Sequence, residues 1–492
     1  MKSRGSRRFS LLSIYLLSAI AGISLILILT NGCYKNNNDD LNPPPQSSNI
    51  KDSVITWVTS ANQTKLLSKA SVKVLFSEQP NAYPVIEINP LQQYQSVDGF
   101  GYTLTGGSAY LLYKMDEEAR LNLLHHLFDC SDDNACISYL RISIGASDLD
   151  EKVFSYDDMP EGETDMTLSH FNLGYDTLYL IPVLKEILQL NPNIKLLGSP
   201  WSAPTWMKTN HNSVGGHLDS LYYNVYADYF VKYIIAMQQH GINLDAITVQ
   251  NEPLHGGNNP SMVMYADQQS KFVKNHLGPK FQNAHLATKI IIWDHNCDNP
   301  GYPISILSDT ESYPYIDGSA FHLYGGDISA LSAVKNQFPD KSLYFTEQWT
   351  SGHGNFGEDL QWHIKNVIIG SMRNWSKVAL EWNLANGSDF KPHTPGGCNL
   401  CLGAITISGN LFTKNVGYYN VAHASRFIPP GSIRIGSSDI ANISQVAFLT
   451  PQDKKVVLAV NETENPQIFN LKYQGKYALV SMSPHTVATY IF

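Results

Sequence analysis

The chain has 492 residues, of which 43% are hydrophobic and 16% charged, a composition typical of a globular protein rather than a disordered or membrane-embedded one. Its formal net charge is −9, although the first 32 residues are basic, so the remainder is more acidic than the whole. Because an acidic surface repels phosphate groups, these values argue against nucleic acid and anionic membrane surfaces as partners.

The N-terminal segment, residues 1–32, has the pattern of an export signal. The basic start MKSRGSRR precedes a long uncharged, apolar run and then a glycine directly before Cys33. This order resembles the bacterial lipoprotein signal, in which the cysteine is lipidated. The alternative is an uncleaved anchor helix, since about 20 apolar residues span a bilayer. Residues 33–52 are polar and proline-rich and predict a flexible tether, so we expect an exported body held at the bacterial cell envelope, periplasmic or at the cell surface.

The cysteine spacing agrees with export. Cys130 and Cys136 flank a short polar loop, and Cys398 and Cys401 form a C-x-x-C, so each pair is a candidate disulfide. Cys297 is left over and is expected to be a buried thiol. A four-cysteine zinc site is the alternative, which the irregular spacing disfavours.

Short apolar runs alternate with helical patterns through the middle of the chain. The predicted strands are Val97–Leu104, Ile137–Gly145, Lys195–Pro200, Ala246–Asn251, Lys289–Asp294, Ser319–Tyr324, Ser342–Glu347 and Val378–Asn383. The predicted helices include Asp116–Phe128, Thr177–Leu190, Ser220–His240, Ser261–Leu277 and Leu360–Asn374. Eight strands in this alternation predict an α/β fold, a (β/α)8 TIM barrel, rather than a doubly wound sheet with its glycine-rich nucleotide turn.

The segments before and after the predicted barrel have the sequence pattern of β-strands. Short β-like runs precede the barrel, and several more follow Phe427, which predicts an antiparallel β-sandwich built from both chain ends. The expected domains are a signal peptide at 1–32, a tether at 33–52, the N-terminal part of the sandwich at 53–92, the barrel at 93–424 and the rest of the sandwich at 425–492.

Two of the predicted strands each end at a glutamate. The fourth run, ITVQNEP, ends at Asn251 and Glu252, and the seventh, SLYFTEQW, reaches Glu347. Since the active site of such a barrel lies at the carboxyl ends of the strands, the two glutamates are expected to face each other. One such glutamate alone is more often a solvated or salt-bridged loop residue. The pair predicts glycosidic hydrolysis without a cofactor or metal, one carboxyl protonating the leaving oxygen while the other attacks the sugar carbon.

Several motifs resemble glycoside hydrolase family 30, which includes the glucosylceramidases. They are, in order, DGFGYTLTGGSA, YLRISIGASDLD, SPWSAPTWMKTN, TVQNEP, FHLYGG, FTEQW, EWNLANG and SRFIPPGSIRI. The resemblance covers nearly everything from about residue 50 to the end. It implies the same barrel with a β-sandwich and a retaining mechanism, with Glu252 as acid/base and Glu347 as nucleophile.

The resemblance also implies a set of substrate-binding residues. They are Asn251, Trp201, Trp382, Arg141, Tyr324 and His322. Asn251 is expected to bond the sugar 2-hydroxyl, and Arg141 and Tyr324 are expected to keep Glu347 ionised. The two tryptophans are expected to frame the sugar, because an indole offers an apolar face to sugar C–H groups.

One turn departs from the family pattern. Thr105-Gly106-Gly107 stands where glucosylceramidases have Thr-Asp-Ala, whose aspartate holds outer hydroxyls of the terminal glucose. Hydrogen bonds to a charged group are worth about 1.5–3 kcal/mol each, so its loss argues against glucosylceramide. The two glycines are expected to leave a gap through which a longer chain continues. The expected substrate is therefore a β-glucan, and because the family contains β-1,6-glucanases a β-1,6-glucan is one candidate, with glucosylceramide as the alternative.

The sequence disfavours other functions for this protein. A non-catalytic glycan-binding lipoprotein would need aromatic residues but neither glutamate. A metal-dependent barrel hydrolase would need clustered ligands, and Asp294, His295 and His322 near the strand ends lack paired spacing. Ser-His-Asp hydrolysis would need a G-x-S-x-G turn. For Lys208 a structural ion pair is expected rather than a substrate contact, and Trp206 and Trp349 are left open between framing the sugar and lying in the core or at the rim.

Overall fold

The structure is a computed structural model that describes residues 53–131 and 133–492; the predicted signal peptide, tether and Cys33 lie outside the described residues. Eight parallel strands close into a barrel in which the last strand pairs with the first. The strands are Gly99–Leu104, Tyr139–Ser143, Lys195–Ser199, Ala246–Thr248, Lys289–Cys297, Ile316–Gly326, Ser342–Glu347 and Ser376–Asn383. The prediction of a (β/α)8 barrel is confirmed.

The fourth barrel strand is shorter than predicted. It ends at Thr248 rather than Asn251, and the chain then leaves the regular ladder while keeping individual backbone bonds to both neighbouring strands. The N–H of Asn251 donates to Pro200 O at 2.8 Å, and that of Glu252 donates to Asp294 O at 2.9 Å. The segment is thus fixed without being a strand.

Helices surround the barrel. The α-helices are Gly106–Lys114, Glu117–Phe128, Leu180–Leu190, Tyr223–Gln239, Ala266–Phe272, Gly278–Asn283, Gly301–Leu307, Ala330–Gln337, Phe356–Trp362, Gly370–Arg373 and Val416–Ser425. Two π-helical turns, Val273–Leu277 and His363–Ile369, join consecutive α-helices into longer rods. The predicted helix 261–277 therefore begins later, at Ala266, and continues to Asn283. In Tyr223–Gln239 the apolar residues that repeat at helical spacing, among them Val225, Tyr229 and Tyr233, are buried.

A ten-stranded sheet is built from both flanks of the barrel. Its strands are Ser53–Ser60, Ser68–Lys69, Val74–Leu75, Val85–Ser96, Ile433–Ser437, Ile443–Leu449, Lys455–Asn461, Gln467–Tyr473, Lys476–Met482 and Thr486–Ile491. The first of them pairs antiparallel with the last. Strands distant in the sheet order share one core, which contains Val54, Ile86, Val457 and Phe469, so the sheet folds over on itself as a sandwich.

Short pieces of sheet cover the carboxyl end of the barrel. Ala385–Gly387 pairs with Ile405–Ser408, which pairs with Leu411–Lys414, and Thr350–Ser351 pairs with Cys401–Leu402. The structure forms both predicted disulfides, Cys130–Cys136 and Cys398–Cys401, and Cys297 is a buried thiol. Within the described part of the chain, no helix has the length and apolarity needed to cross a bilayer.

Candidate active site

Two strand ends bring Glu252 and Glu347 into one cleft. Nδ1 of His322 lies 3.1 Å from Oε1 of Glu252 and 3.9 Å from Oε1 of Glu347. The two carboxyl oxygens can therefore be no farther apart than the sum of these distances. Retaining glycosidases hold their carboxyl groups about 5–5.5 Å apart, and inverting enzymes about 6.5–9.5 Å apart, so the sum excludes most of the inverting range.

Arg141 holds one side of Glu347 and Tyr324 the other. The buried guanidinium donates to Oε2 of Glu347 and, through its second nitrogen, to Oδ1 of Asn251 at 2.6 Å. The Tyr324 hydroxyl donates to Oε1 of Glu347 at 2.9 Å. Both oxygens of Glu347 thus accept bonds from groups that favour its ionised form. The residues expected around this glutamate are all in place.

Asp294 is the centre of this network, and the sequence did not assign it a role. Its carboxylate is fully buried and accepts hydrogen bonds from five side chains. The donors are Arg141, Ser199, Thr248, His322 and Thr346. Irregular pairing explains its placement: Trp293 pairs with Ala320 and His295 with Phe321, so Asp294 is the extra residue of a β-bulge.

Charged groups buried around the cleft shift one another's pKa values. Burial would lower the pKa of His322, but Glu347, Asp294 and Glu252 raise it to about 9. Burial alone would raise the pKa of Asp294, yet Arg141 and His322 hold it well below its usual range. Three carboxyl groups, those of Glu252, Glu347 and Asp294, therefore face two cationic groups, Arg141 and His322.

The pKa values of the two catalytic candidates, Glu252 and Glu347, are shifted in opposite directions. Burial alone would raise the pKa of Glu252, but contacts with His295 and His322 outweigh it and lower the pKa. Burial raises the pKa of Glu347, while His322 and Arg141 oppose the rise. Since Nε2 of His322 is bonded to Asp294 at 3.1 Å, its Nδ1 proton is directed at Glu252.

The backbone at the site is strained. Glu252, Trp293 and Asp294 have φ values of 44°, 72° and 65°, in the left-handed region that side chains rarely adopt. Such residues cost about 1–3 kcal/mol each and persist where the surrounding structure holds them, often at functional sites. Here the backbone bond from Glu252 N to Asp294 O joins two of the three.

Two indole rings form one wall of the cleft. The ring centroids of Trp201 and Trp382 are 5.3 Å apart with planes inclined at 31°, and the Arg141 guanidinium lies 4.7 Å from the Trp201 centroid. Leu149 and Cys401 pack against the same pair. The cavity has a volume of about 330 Å³. Its lining consists of Asp148, Trp201, Glu252, His255, Asn258, His295, Asn296, Tyr324, Glu347, Trp349, Trp382, Cys398 and Cys401.

Trp349 lies at this cleft, whereas Trp206 belongs to the core. The Trp206 indole is buried and donates to Asp157 O at 2.8 Å. The expected ion pair of Lys208 is wrong, because its buried ammonium group donates instead to the carbonyls of Ser261 at 2.7 Å and Ser213 at 3.2 Å. These two carbonyl contacts anchor a loop, Lys208 is not among the residues that line the cleft, and burial lowers its pKa to about 7.

The expected gap at Gly106 and Gly107 is also wrong. A Cβ added at Gly106 would lie 1.6 Å from Oδ1 of Asp150, and one at Gly107 would lie 2.4 Å from Leu149 O. The glycines are needed because the loop after the second barrel strand packs directly on them. A glucan chain cannot pass at this point.

Glu252, His295 and His322 place three donor atoms within 4.8 Å of one another, which is close enough for a metal ion. Glu252 and His322 already share a hydrogen bond at 3.1 Å, His295 lies 3.6 Å from the same glutamate oxygen, and Nε2 of His322 is bonded to Asp294. A cation there would occupy the carboxyl group that must protonate a leaving oxygen. The arrangement therefore fits acid/base chemistry better than metal binding.

Comparison with known proteins places this geometry in a family. Residues 97–428 match the glycosyl hydrolase family 30 TIM-barrel domain, and residues 431–490 match the family 30 beta sandwich domain. This chain belongs to glycoside hydrolase family 30. It is a glycoside hydrolase, as the paired glutamates predicted.

Family 30 relatives differ in the substrates for which they are named. An endo-1,6-β-D-glucanase of Neurospora crassa is 32% identical over 436 residues, covering 84% of this chain and 89% of the relative. The lysosomal acid glucosylceramidase of Mus musculus is 26% identical over 438 residues, 83% of each chain. A solved endo-β1,6-glucanase superposes with a TM-score of 0.83 at 32% identity, covering 89% of this chain and 99% of that one.

Proposed function

We propose that this family 30 enzyme cleaves β-1,6-linked glucan with retention of anomeric configuration. The observation that carries the proposal is the placement of Glu252 and Glu347 around one imidazole nitrogen, beside the Trp201–Trp382 wall. Relatives at 32% identity named as endo-1,6-β-glucanases support the choice of linkage, while the mouse glucosylceramidase is more distant at 26%.

The reaction proceeds by two displacements. In the first, Glu347 attacks the anomeric carbon, the glycosidic C–O bond breaks, and Glu252 gives its proton to the departing sugar oxygen. This leaves a glycosyl ester on Glu347 and a carboxylate at Glu252. In the second, Glu252 takes a proton from water, whose oxygen attacks the anomeric carbon and releases Glu347. Two inversions restore the β configuration.

The surrounding residues keep each glutamate in its role. Arg141 and Tyr324 donate to Glu347, so its oxygens are oriented and its ionised form is favoured before attack. His322 donates a hydrogen bond to Glu252 along their 3.1 Å contact and orients it, while the proton that Glu252 gives to the leaving oxygen is replaced by the one taken from water in the second step. Asn251, held by Arg141 at 2.6 Å, presents its amide beside the nucleophile, where the sugar 2-hydroxyl lies. Hydrogen bonds to that hydroxyl strengthen as positive charge develops on the sugar ring.

The decisive experiment compares substrates. The protein is incubated with β-1,3-, β-1,4- and β-1,6-glucans, β-xylan and glucosylceramide, the products are sized, and the anomer released first is identified by NMR. We expect short β-1,6-linked oligosaccharides released in the β configuration. Release of glucose from glucosylceramide far faster than cleavage of any glucan would overturn the choice of substrate, and release of the α-anomer would overturn the mechanism.

We also propose that the enzyme is exported and lipid-anchored through Cys33. The basic and apolar run before Gly-Cys supports this, and two disulfides fit an oxidising compartment. Expression in a Gram-negative bacterium, with Cys33→Ala as control, tests it. We expect the parent in the membrane fraction with a labelled acyl chain and the variant without the label. A parent without the label would contradict the anchor.

A further inference from the structure

A second cavity lies where the β-sandwich meets the last helix of the barrel, apart from the catalytic cleft. It has a volume of about 620 Å³, and no residue that lines it also lines the cleft. Its walls come from the first strands of the sandwich (57–69), from Asp133 in the Cys130–Cys136 loop, and from the helix Val416–Ser425 with the residues at its two ends (414–426). Ligand pockets in proteins have volumes of about 300–1,000 Å³, so this cavity is large enough for a small molecule.

Three cationic side chains line this cavity, in a protein whose formal net charge is −9. They are Lys69, Lys414 and Arg426, and among the described residues of the lining Asp133 is the one carboxylate. Arg426 pairs with Asp133 at 2.7 Å. In the part of the chain that the structure describes, neither lysine forms an ion pair, and Lys414 Nζ instead lies 3.5 Å from Nδ1 of His126. Three cations against one carboxylate leave the lining with two positive charges.

Aromatic rings hold these cations in position. Lys414 Nζ lies 4.4 Å from the ring centroid of Tyr418. The Arg426 guanidinium lies 4.1 Å from the Trp57 ring centroid, and Lys69 Nζ lies 5.9 Å from the same ring. Burial lowers the pKa of Lys414 without an opposing contribution from a described carboxylate. Because a contact with a ring face orients a cation but does not cancel its charge, the two lysines are placed at the cavity with their charge intact.

The charge and the size of the cavity indicate the class of ligand. A phosphate monoester carries about −1.5 to −2 charges at pH 7, which matches the two positive charges of the lining better than the single charge of a carboxylate does. Inorganic phosphate alone would leave most of the cavity unfilled. The side chains of Trp57, Leu66 and Leu67 also give the cavity an apolar wall, against which the organic part of a phosphate ester can pack.

We propose that this cavity binds a soluble phosphate monoester whose organic part is the size of a sugar ring, and that Lys69 and Lys414 donate hydrogen bonds to its phosphate group. The site is separate from the catalytic cleft and does not depend on which glycan the enzyme cleaves. Since the walls come from segments far apart in the chain, a ligand held between them also stabilises the folded protein.

The test is calorimetric titration of the whole protein with ribose 5-phosphate, whose pentose avoids a cleft built for glucosyl units. Ribose, inorganic phosphate and glucuronate are titrated for comparison, and ribose 5-phosphate should bind at least about tenfold more tightly than each of them. Lys69→Gln and Lys414→Gln should each raise its Kd about tenfold to a hundredfold, because each removes a hydrogen bond between charged groups. The matched control is Lys472→Gln, since Lys472 pairs with Glu87 at 3.0 Å outside the cavity lining and should leave the Kd unchanged.

Several results would overturn the proposal. No heat of binding with ribose 5-phosphate would show that the lysines serve only the packing of the sandwich on the barrel. Equally tight binding of ribose, inorganic phosphate or glucuronate would contradict the ligand class, and an equal loss in Lys472→Gln would assign the effect to overall charge. Lys414 is partly buried, whereas Lys69 is exposed, so Lys69→Gln carries the test if Lys414→Gln fails to fold. Glycan hydrolysis by both variants should match the parent, because neither lysine borders the cleft.

Discussion

The carboxylate of Asp294 lies 3.1 Å from Nε2 of His322, on the opposite side of the imidazole from Glu252. A fully buried imidazole between two carboxylates stays protonated, and its position and tautomer are fixed by the residue behind it. Asp294 also bonds Arg141 at 2.8 Å, so one side chain orients groups that serve both glutamates.

Asp294→Asn should therefore weaken catalysis without removing a group that touches the sugar. We expect kcat to fall at least a hundredfold, since breaking a buried charge network costs about 3–5 kcal/mol. Because the carboxylates raise the pKa of His322 to about 9, loss of one should also move the alkaline limb of the kcat–pH profile to lower pH.

The control for this variant is Asp317→Asn, because Asp317 bonds the Tyr344 hydroxyl near the start of the sixth barrel strand, away from the cleft. Its profile should keep the parent shape. An Asp294→Asn enzyme that is folded by circular dichroism and has an unshifted alkaline limb would contradict the positioning role.

The assignment of acid/base and nucleophile predicts opposite responses to azide. Glu252→Ala should slow cleavage of unactivated glucan about 10²- to 10⁴-fold, the usual contribution of a positioned acid/base. Azide should restore turnover of an activated aryl glucoside by attacking the glycosyl ester on Glu347, giving a β-glycosyl azide. Glu347→Ala should give the α-azide instead, because azide then occupies the nucleophile's place. If Glu252→Ala gave the α-azide and Glu347→Ala the β-azide, the roles of the two glutamates would be the reverse of those assigned.

Tyr324→Phe removes one hydrogen bond from the nucleophile and leaves the Arg141 contact. Loss of a hydrogen bond to a charged group costs about 1.5–3 kcal/mol, so kcat should fall about tenfold to a hundredfold. Less stabilisation of the ionised form should also move the acid limb of the pH profile to higher pH. Tyr344→Phe removes a hydroxyl far from the cleft and should leave kcat unchanged; equal losses in both variants would point to stability instead.

Sequence patterns were sufficient to predict the barrel and the two glutamates, because strand alternation and a polar residue at a strand end are local features. Asp294 was not found, since its inward placement depends on a β-bulge set by pairing with the neighbouring strand. The prediction of open space beside Gly106 and Gly107 was wrong. The space beside Gly106 is filled by Asp150, which follows a different barrel strand. The sequence around the glycines does not indicate a contact with a residue so far along the chain.

His423 joins the helix Val416–Ser425 to strands from both chain ends, and it predicts how stability depends on pH. The Thr489 hydroxyl donates to the His423 carbonyl at 3.0 Å, so its oxygen accepts from Nδ1 at 2.9 Å, and the Thr59 hydroxyl lies 2.8 Å from Nε2. Burial lowers the pKa of His423 to about 3, so the imidazole is neutral at neutral pH and its Nε2 accepts from Thr59.

The unfolded chain binds a proton at His423 below about pH 6.5 while the folded protein does not, so the stability due to this residue is lost as pH falls towards 3. Between pH 7.5 and pH 5 the loss should be about 2 kcal/mol, at 1.36 kcal/mol per pH unit below the unfolded pKa. His423→Gln should lower the free energy of unfolding at pH 7.5 but reduce its pH dependence by that amount, as measured by urea denaturation at both pH values. Parallel losses in parent and variant would show that His423 is protonated in the folded protein.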